Sequence, residues 1–250
     1  MNFDAFEPVY ESILADFGFE RAADERARDV AAELSTPFPI DRLGDWEGKT
    51  VAVAGAASCL SDEVAVAREA DVVVAASTAV DVLRDRGVAV DCMVTDLDKN
   101  PDTAAQLTRN GTPVAAHAHG DNVPAVREWL PRFDARWTLT TTQAAPAGPV
   151  ENTGGFTDGD RAAFLADHVG AGRLVFLGWD FEDPDVDPMK AKKLRWAARL
   201  LRWLERRRGE QFDVLDGRRA ALDAALAGVL GDDPRSSDDV RSSDDEPDDR

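Results

Sequence analysis

Apolar residues recur along this chain in two rhythms, one helical and one too short and dense for a helix. Phe6, Val9, Ile13 and Leu14 fall at helical spacing, Phe17-Gly18-Phe19 interrupts, and the helical pattern resumes from Ala22 to Leu34. Two helices are therefore expected within residues 4–34, closed by Pro37 and Pro39. From Lys49 the rhythm changes to short apolar runs: Val51 to Ala54, Val72 to Val74, Val88 to Val94, Val114 to Ala116, Trp137 to Thr140 and Leu174 to Leu177. Helical patterns separate most of them, for example Ala79 to Arg86 and Val123 to Leu130. Runs apolar on both faces and alternating with helices predict an α/β fold: a mostly parallel, Rossmann-like sheet covered by helices on both sides.

Beyond the last run, Leu194, Ala197, Leu201 and Leu204 share one face of a long amphipathic helix from Pro188 to Arg208, and a final helix is expected from Arg218 to Leu230. Gly231 then leads into Arg-Ser-Ser-Asp-Asp, at 235–239 and again at 241–245, with Val240 as the one apolar residue of the two repeats and their junction. Such a segment has too little apolar surface to offset the entropy of ordering. The chain thus divides into an N-terminal helical segment (1–46), an α/β core (47–230) and a disordered acidic tail (231–250).

Composition sets the surroundings. With 48 Asp and Glu against 29 Lys and Arg, the formal charge is -19, and self-repulsion strains a compact state in dilute salt. Near 1 M salt the Debye length falls to about 3 Å and the strain fades, so a halophile's cytoplasm is the expected setting. Nucleic acid is excluded as a partner, because its phosphates would be repelled. Cys59 and Cys92 match no ligand spacing and read as small buried hydrophobes. The N-terminus carries no leader-like basic and apolar sequence, and no stretch approaches the ~20 apolar residues of a membrane span. A soluble cytoplasmic protein is expected, with self-association into a homo-oligomer left open.

Candidate chemistry gathers where strands should end, which in open α/β sheets is where ligands bind. Asp96 and Asp98, two apart on an extended strand, would project to one face and offer two carboxylates to Mg²⁺; in an Asp-rich chain they read equally as turn formers. His117 and His119 precede Gly120-Asp121-Asn122. With His168 as the only other histidine and no cysteine nearby, proton transfer or polar substrate contact suits the pair better than zinc. Gly154 and Gly155, followed by Phe156, Thr157, Asp158 and Asp160, open a helix whose backbone N–H groups suit phosphate, while Thr157 or Asp158 could serve only as an N-cap. Gly55, after the first strand, marks a second phosphate turn with a single glycine. Lys190 to Lys193 lie at the start of the long helix, within reach of a polyphosphate or simply on a solvated basic face.

Taken together, Phe6-Glu7-Pro8-Val9-Tyr10, Asp16-Phe17-Gly18-Phe19, Thr95-Asp96-Leu97-Asp98, His117-Ala118-His119-Gly120-Asp121-Asn122, Gly154 to Arg161 and Gly178-Trp179-Asp180-Phe181 resemble the archaeal 6-hydroxymethyl-7,8-dihydropterin pyrophosphokinase family. That family is related in fold to the catalytic domain of thiamine pyrophosphokinase. The resemblance spans nearly everything but the tail. It departs at Gly55-Ala56-Ala57-Ser58-Cys59-Leu60, where the family tends toward Gly-x-Gly-Pro-Ser-Leu. It implies Mg²⁺-dependent transfer of diphosphate from ATP to a pterin alcohol, releasing AMP, in folate- or methanopterin-type cofactor synthesis. In that light Asp96 and Asp98 hold Mg²⁺, while Gly154, Gly155 and Thr157 hold phosphate, with Gly55, Lys190 and Lys193 as further phosphate contacts. Asp121, Asn122, Asp158 and Asp160 touch metal or pterin, Phe156 walls the pterin, and His117 or His119 takes the hydroxymethyl proton. A thiamine-type pyrophosphokinase, or a non-catalytic or glycosyl-transferring relative on the same sheet, are the alternatives.

Overall fold

In the computed structural model, which describes residues 1–230, six strands form one all-parallel sheet. They are β1 (Thr50–Ala54), β2 (Val72–Ala76), β3 (Cys92–Thr95), β4 (Val114–Ala118), β5 (Thr138–Thr142) and β6 (Arg173–Leu177), in the order β5-β4-β3-β2-β1-β6. The expected mostly parallel sheet is therefore parallel throughout. Each strand is linked to the next by helical crossovers: α3 (Leu60–Glu69), α4 (Ala79–Asp85), α5 (Pro101–Arg109), α6 (Val123–Trp129) and α7 (Asp158–Val169). Two helices, α1 (Phe3–Phe17) and α2 (Arg21–Leu34), precede the sheet, and α8 (Pro188–Arg208) and α9 (Arg219–Leu230) follow it. The sequence repeats of the expected tail lie outside the described residues.

Strand residues alternate between two buried faces. Val51, Val53, Val74, Val94, Ala115 and Leu139 pack with α1, α7, α8 and α9. Ala52, Ala54, Val73, Met93, Val114 and Ala116 pack with α2, α3, α4, α5 and α6. The strand expected from Val88 begins only at Cys92. Residues 88–91 form its lead-in, held where the Asp91 carboxylate accepts the Val73 N–H at 2.8 Å.

The free edge of β5 is covered. Glu151 pairs beside Thr141, and Ser35, just beyond α2, hydrogen-bonds the Thr140 hydroxyl at 2.7 Å, which blunts an otherwise open ladder. At the other side of the sheet β6 adds in parallel beside β1, so the order in which strands are laid down switches sides at β1. There the backbones of Gly55 and Gly178 touch: a Cβ on Gly55 would stand 2.5 Å from the Gly178 carbonyl oxygen.

Candidate active site

The Asp pair does not lie on a strand. β3 ends at Thr95, and Asp96 to Asp98 form a turn around Leu97, whose φ of 68° is left-handed. That conformation costs a non-glycine residue on the order of 1 kcal/mol. Two features hold it: the Leu97 side chain is buried, and its N–H donates to the buried Thr95 hydroxyl at 3.0 Å. The two carboxylates still come together, close enough for Asp96 to push the Asp98 carboxyl upward, and the Asp98 N–H closes the turn on Asp96 Oδ1 at 3.3 Å. Extended-strand geometry thus predicted the right neighbours for the wrong reason. Strain stored beside charged groups is a mark of functional loops.

The two histidines have separate environments. His117, 2% exposed on β4, sits beside Thr141 of β5 with Nδ1 2.9 Å from the threonine hydroxyl. Burial, helped by the Arg161 charge, drives its basicity well below the ordinary value, so its ring is neutral. His119 lies just past the strand, its side chain 18% exposed and Nε2 3.7 Å from Asp96 Oδ2. Asn122 staples this region together. Its amide donates to the Asp96 and His117 carbonyls, both at 2.7 Å, and its oxygen accepts the His119 N–H at 2.9 Å. With these bonds Asn122 orders the edge that carries Asp96, His117 and His119. Asp121 is exposed at the same turn.

The segment before α7 is likewise a self-contained cap. The Asp160 carboxylate, fully buried, accepts the N–H groups of Phe156 and Thr157 and the Thr157 hydroxyl. Gly154 N–H is taken by Asn152 Oδ1 at 2.8 Å. At the expected phosphate cradle of Gly154 and Thr157, these donors are engaged within the protein, and the helix N-terminus holds the Asp160 carboxylate. The glycines answer to packing as well. Gly154 and Gly155 have φ near 94° and 95°. A Cβ on them would meet the Phe164 ring at 2.7 Å and the Arg161 Cα at 2.6 Å, respectively.

Asp158, in the first turn of α7, does reach the acidic cluster. Burial raises its carboxyl to about 7, with Asp96 and Asp98 adding repulsion and Arg161 opposing. For Asp96, burial is outweighed by the His119 ring and Asp98 beside it and by the Arg161 charge, which together hold its carboxyl below the ordinary range; Asp98 is shifted upward by burial and by Asp96. Arg161 is the cation of the group. Its Nη1 donates to Asp158 Oδ1 at 3.0 Å and its Nη2 to Gln143 Oε1 at 3.3 Å. Sequence reasoning passed over Arg161 and Gln143 as functional residues. Beneath them is a cavity of about 10 Å³ lined by His117, Thr141, Thr142, Thr153 and Arg161. His117 Nε2 and Arg161 Nε, both without a protein partner among the described residues, belong to residues of its lining. A space of that size accepts about one water, so any organic substrate sits above it.

Other expected contacts lie further out. The Gly55 N–H is bonded to the Leu177 carbonyl at 2.9 Å, and the absence of a side chain there serves the approach of Gly178. Lys190 and Lys193 stand on the first turns of α8 without a carboxylate partner among the described residues, whereas Lys192 pairs with Asp16 at 3.0 Å. Phe156 packs on Phe17 with ring centroids 5.1 Å apart, and Phe17 on Phe19 at 5.2 Å, an aromatic cluster beside the α7 cap.

The donor set suits a hard cation. Among the described residues no group of three or more His, Cys, Asp or Glu side chains forms a ready-made metal cage. Two adjacent carboxylates with a third nearby, all oxygen, are what Mg²⁺ uses when substrate phosphates and water complete its octahedron. No helix among the described residues is long and apolar enough to cross a membrane.

A parallel sheet with paired carboxylates, a histidine and a capped helix at its carboxyl edge suits phosphoryl or diphosphoryl transfer, in which positioned charge does most of the work. Residues 30–186 match the family model described as 6-hydroxymethylpterin diphosphokinase MptE-like, and the chain belongs to that family. Similar curated proteins are each named 6-hydroxymethyl-7,8-dihydropterin pyrophosphokinase. The one from Methanothermobacter thermautotrophicus is 38% identical over 216 residues, covering 79% of this chain and 92% of the relative. That from Pyrococcus furiosus is 34% identical over 226 residues, 82% and 95% of the two chains, and that from Methanocaldococcus jannaschii 28% identical over 232 residues, 82% and 96%. This chain is accordingly an enzyme of the pyrophosphokinase type.

Proposed function

We propose that the chain transfers the terminal diphosphate of ATP to 6-hydroxymethyl-7,8-dihydropterin, releasing AMP, with Mg²⁺ held by Asp96 and Asp98. The observation that carries the reading is the strained Asp96-Leu97-Asp98 turn, which sets two carboxylates against Asp158 and His119 at the carboxyl edge of the sheet. When bound, the cation would neutralise charge on the transferred phosphates. The protein's own contribution is alignment and proton handling.

The pterin hydroxymethyl oxygen attacks the β-phosphorus, and the bond from that phosphorus to the oxygen bridging it to the α-phosphorus breaks, leaving that oxygen with AMP. His119 is the proton acceptor. Its Nε2 faces Asp96, which leaves Nδ1 to take the hydroxymethyl proton while the carboxylate stabilises the imidazolium that forms. His117 is buried and neutral and supports the floor of the site. Asp158 favours a cation, because its charged form suffers repulsion from Asp96 and Asp98. The cluster of Phe17, Phe19 and Phe156 provides an aromatic wall for the acceptor ring, with Asp121 as a polar contact.

Product analysis tests this. With ATP, Mg²⁺ and the pterin alcohol, AMP and the pterin diphosphate should appear together and ADP should not accumulate. Accumulation of ADP, or formation of thiamine diphosphate in preference when thiamine is also supplied, would overturn the assignment.

A further inference from the structure

Asp24 lies on α2, outside the sheet, yet its carboxylate is buried against the ends of β4 and β5. Oδ2 accepts the Tyr10 hydroxyl at 2.8 Å and Gln143 Nε2 at 2.9 Å; Oδ1 accepts the Gly120 N–H at 2.8 Å. Three neutral donors therefore hold one buried acid, and among the described residues no salt bridge compensates it. Two structural consequences reach the site. Only the NH₂ end of Gln143 can donate to Asp24, so its Oε1 must turn toward Arg161, whose other arm grips Asp158. The tie to Gly120 fixes the turn next to His119, and that turn is seated so closely that a Cβ on Gly120 would stand 2.7 Å from Ala23 Cβ. An unbroken run of hydrogen bonds thus links α1 and α2 to the acidic cluster.

We propose that Asp24 is a positioning residue for diphosphate transfer, acting through Gln143 and Arg161 on Asp158 and through Gly120 on His119. This inference rests on the diphosphokinase reading given above. Asp24 touches no reacting atom; it sets the polarity of the Gln143 amide and hence the place of the one buried cation beside the carboxylates. The N-terminal helices, which begin ahead of the segment matched by the family model, are in this account part of the active site.

The test is a polarity swap. In Asp24→Asn the fixed Gly120 N–H keeps the amide oxygen, the rotatable Tyr10 hydroxyl turns to accept, and the new NH₂ meets the Gln143 NH₂; the glutamine amide turns over and its NH₂ is set against the Arg161 guanidinium. A displacement of about 1 Å costs on the order of 10²-fold in rate, so kcat should fall at least ~10-fold, with the KM for MgATP changed by less than about threefold, in a protein that still melts cooperatively. Asp24→Asn combined with Gln143→Glu reverses donor and acceptor, restores both hydrogen bonds and should recover most of the lost kcat. A single variant with unchanged kcat, or a double variant no better than the single, would overturn the proposal. Should the wild-type protein form no pterin diphosphate, the functional reading is what fails. The positioning claim is then judged on a crystal structure of Asp24→Asn, where a displaced Arg161 guanidinium supports it and an unmoved one refutes it.

Discussion

His117 makes the stability of this protein depend on acid in a calculable way. Its ring is buried at the end of β4, and burial together with the Arg161 charge pushes its basicity well below the ordinary 6.5. In the unfolded chain the same imidazole takes a proton as the pH falls through 6.5, while the folded one does not. The contribution is fully present above 6.5 and is lost progressively as the pH drops from 6.5 toward the depressed folded value. Below 6.5, each pH unit over which the folded ring stays neutral removes about 1.4 kcal/mol. For a chain of this size each kcal/mol moves the melting temperature by roughly 2–4 °C, so one such pH unit is worth about 3–6 °C. Many carboxylates titrate in the same range, and a comparison isolates the histidine. His117→Asn keeps a polar atom near Nδ1 for Thr141 and removes the titration. Thermal melts of both proteins at pH 7.5 and 5.5 should show the variant less stable at the higher pH and the gap narrowing at the lower. Parallel melting curves, with the same gap at both pH values, would refute a buried neutral imidazole.

Asp96→Asn and Asp98→Asn should each lower turnover by at least ~100-fold while leaving the melting temperature nearly unchanged, since both side chains face the open edge of the sheet; steady-state kinetics and circular dichroism check this together. Gly155→Ala should destabilise by at least about 2 kcal/mol, because φ near 95° is unfavourable for a side chain and its Cβ would meet Arg161 backbone rather than a movable side chain, and chemical denaturation measures the loss. Lowering KCl from about 1 M to about 0.1 M should lower the melting temperature through unscreened self-repulsion, and a flat profile would remove the salt-adaptation reading.

The layered fold was legible because its signals are local: runs such as Val72-Val73-Val74 and the helical spacing of Leu194, Ala197, Leu201 and Leu204 each announce an element without reference to the rest. The lead-in 88–91 reads as strand in the sequence because valines at 88 and 90 satisfy the same pattern, whereas pairing with β2 begins only at Cys92. At the site, the Asp and His pairs were visible as short strings. Asp160 and the two glycines suggested phosphate because a helix cap and an anion cradle use the same residues, and only the hydrogen bonds tell which partner is present. The relay through Asp24 was out of reach of local pattern, since Asp24 and Gln143 are 119 positions apart. One trace of it was present: Asp24 shares a helical face with Ala27 and Ala31, an acid on an otherwise small and apolar stripe.

The built-in cap of α7 has a consequence for how a nucleotide enters. A helix that had left its first N–H groups open would welcome a polyphosphate by itself, and the metal would then be an assistant. Here Asp160 has already claimed that welcome, and Arg161 is spoken for by Asp158 and Gln143. On the proposed reading, a polyphosphate would meet the carboxylates of Asp96, Asp98 and Asp158 with those donors already engaged, so a cation bound with it would be what offsets their repulsion.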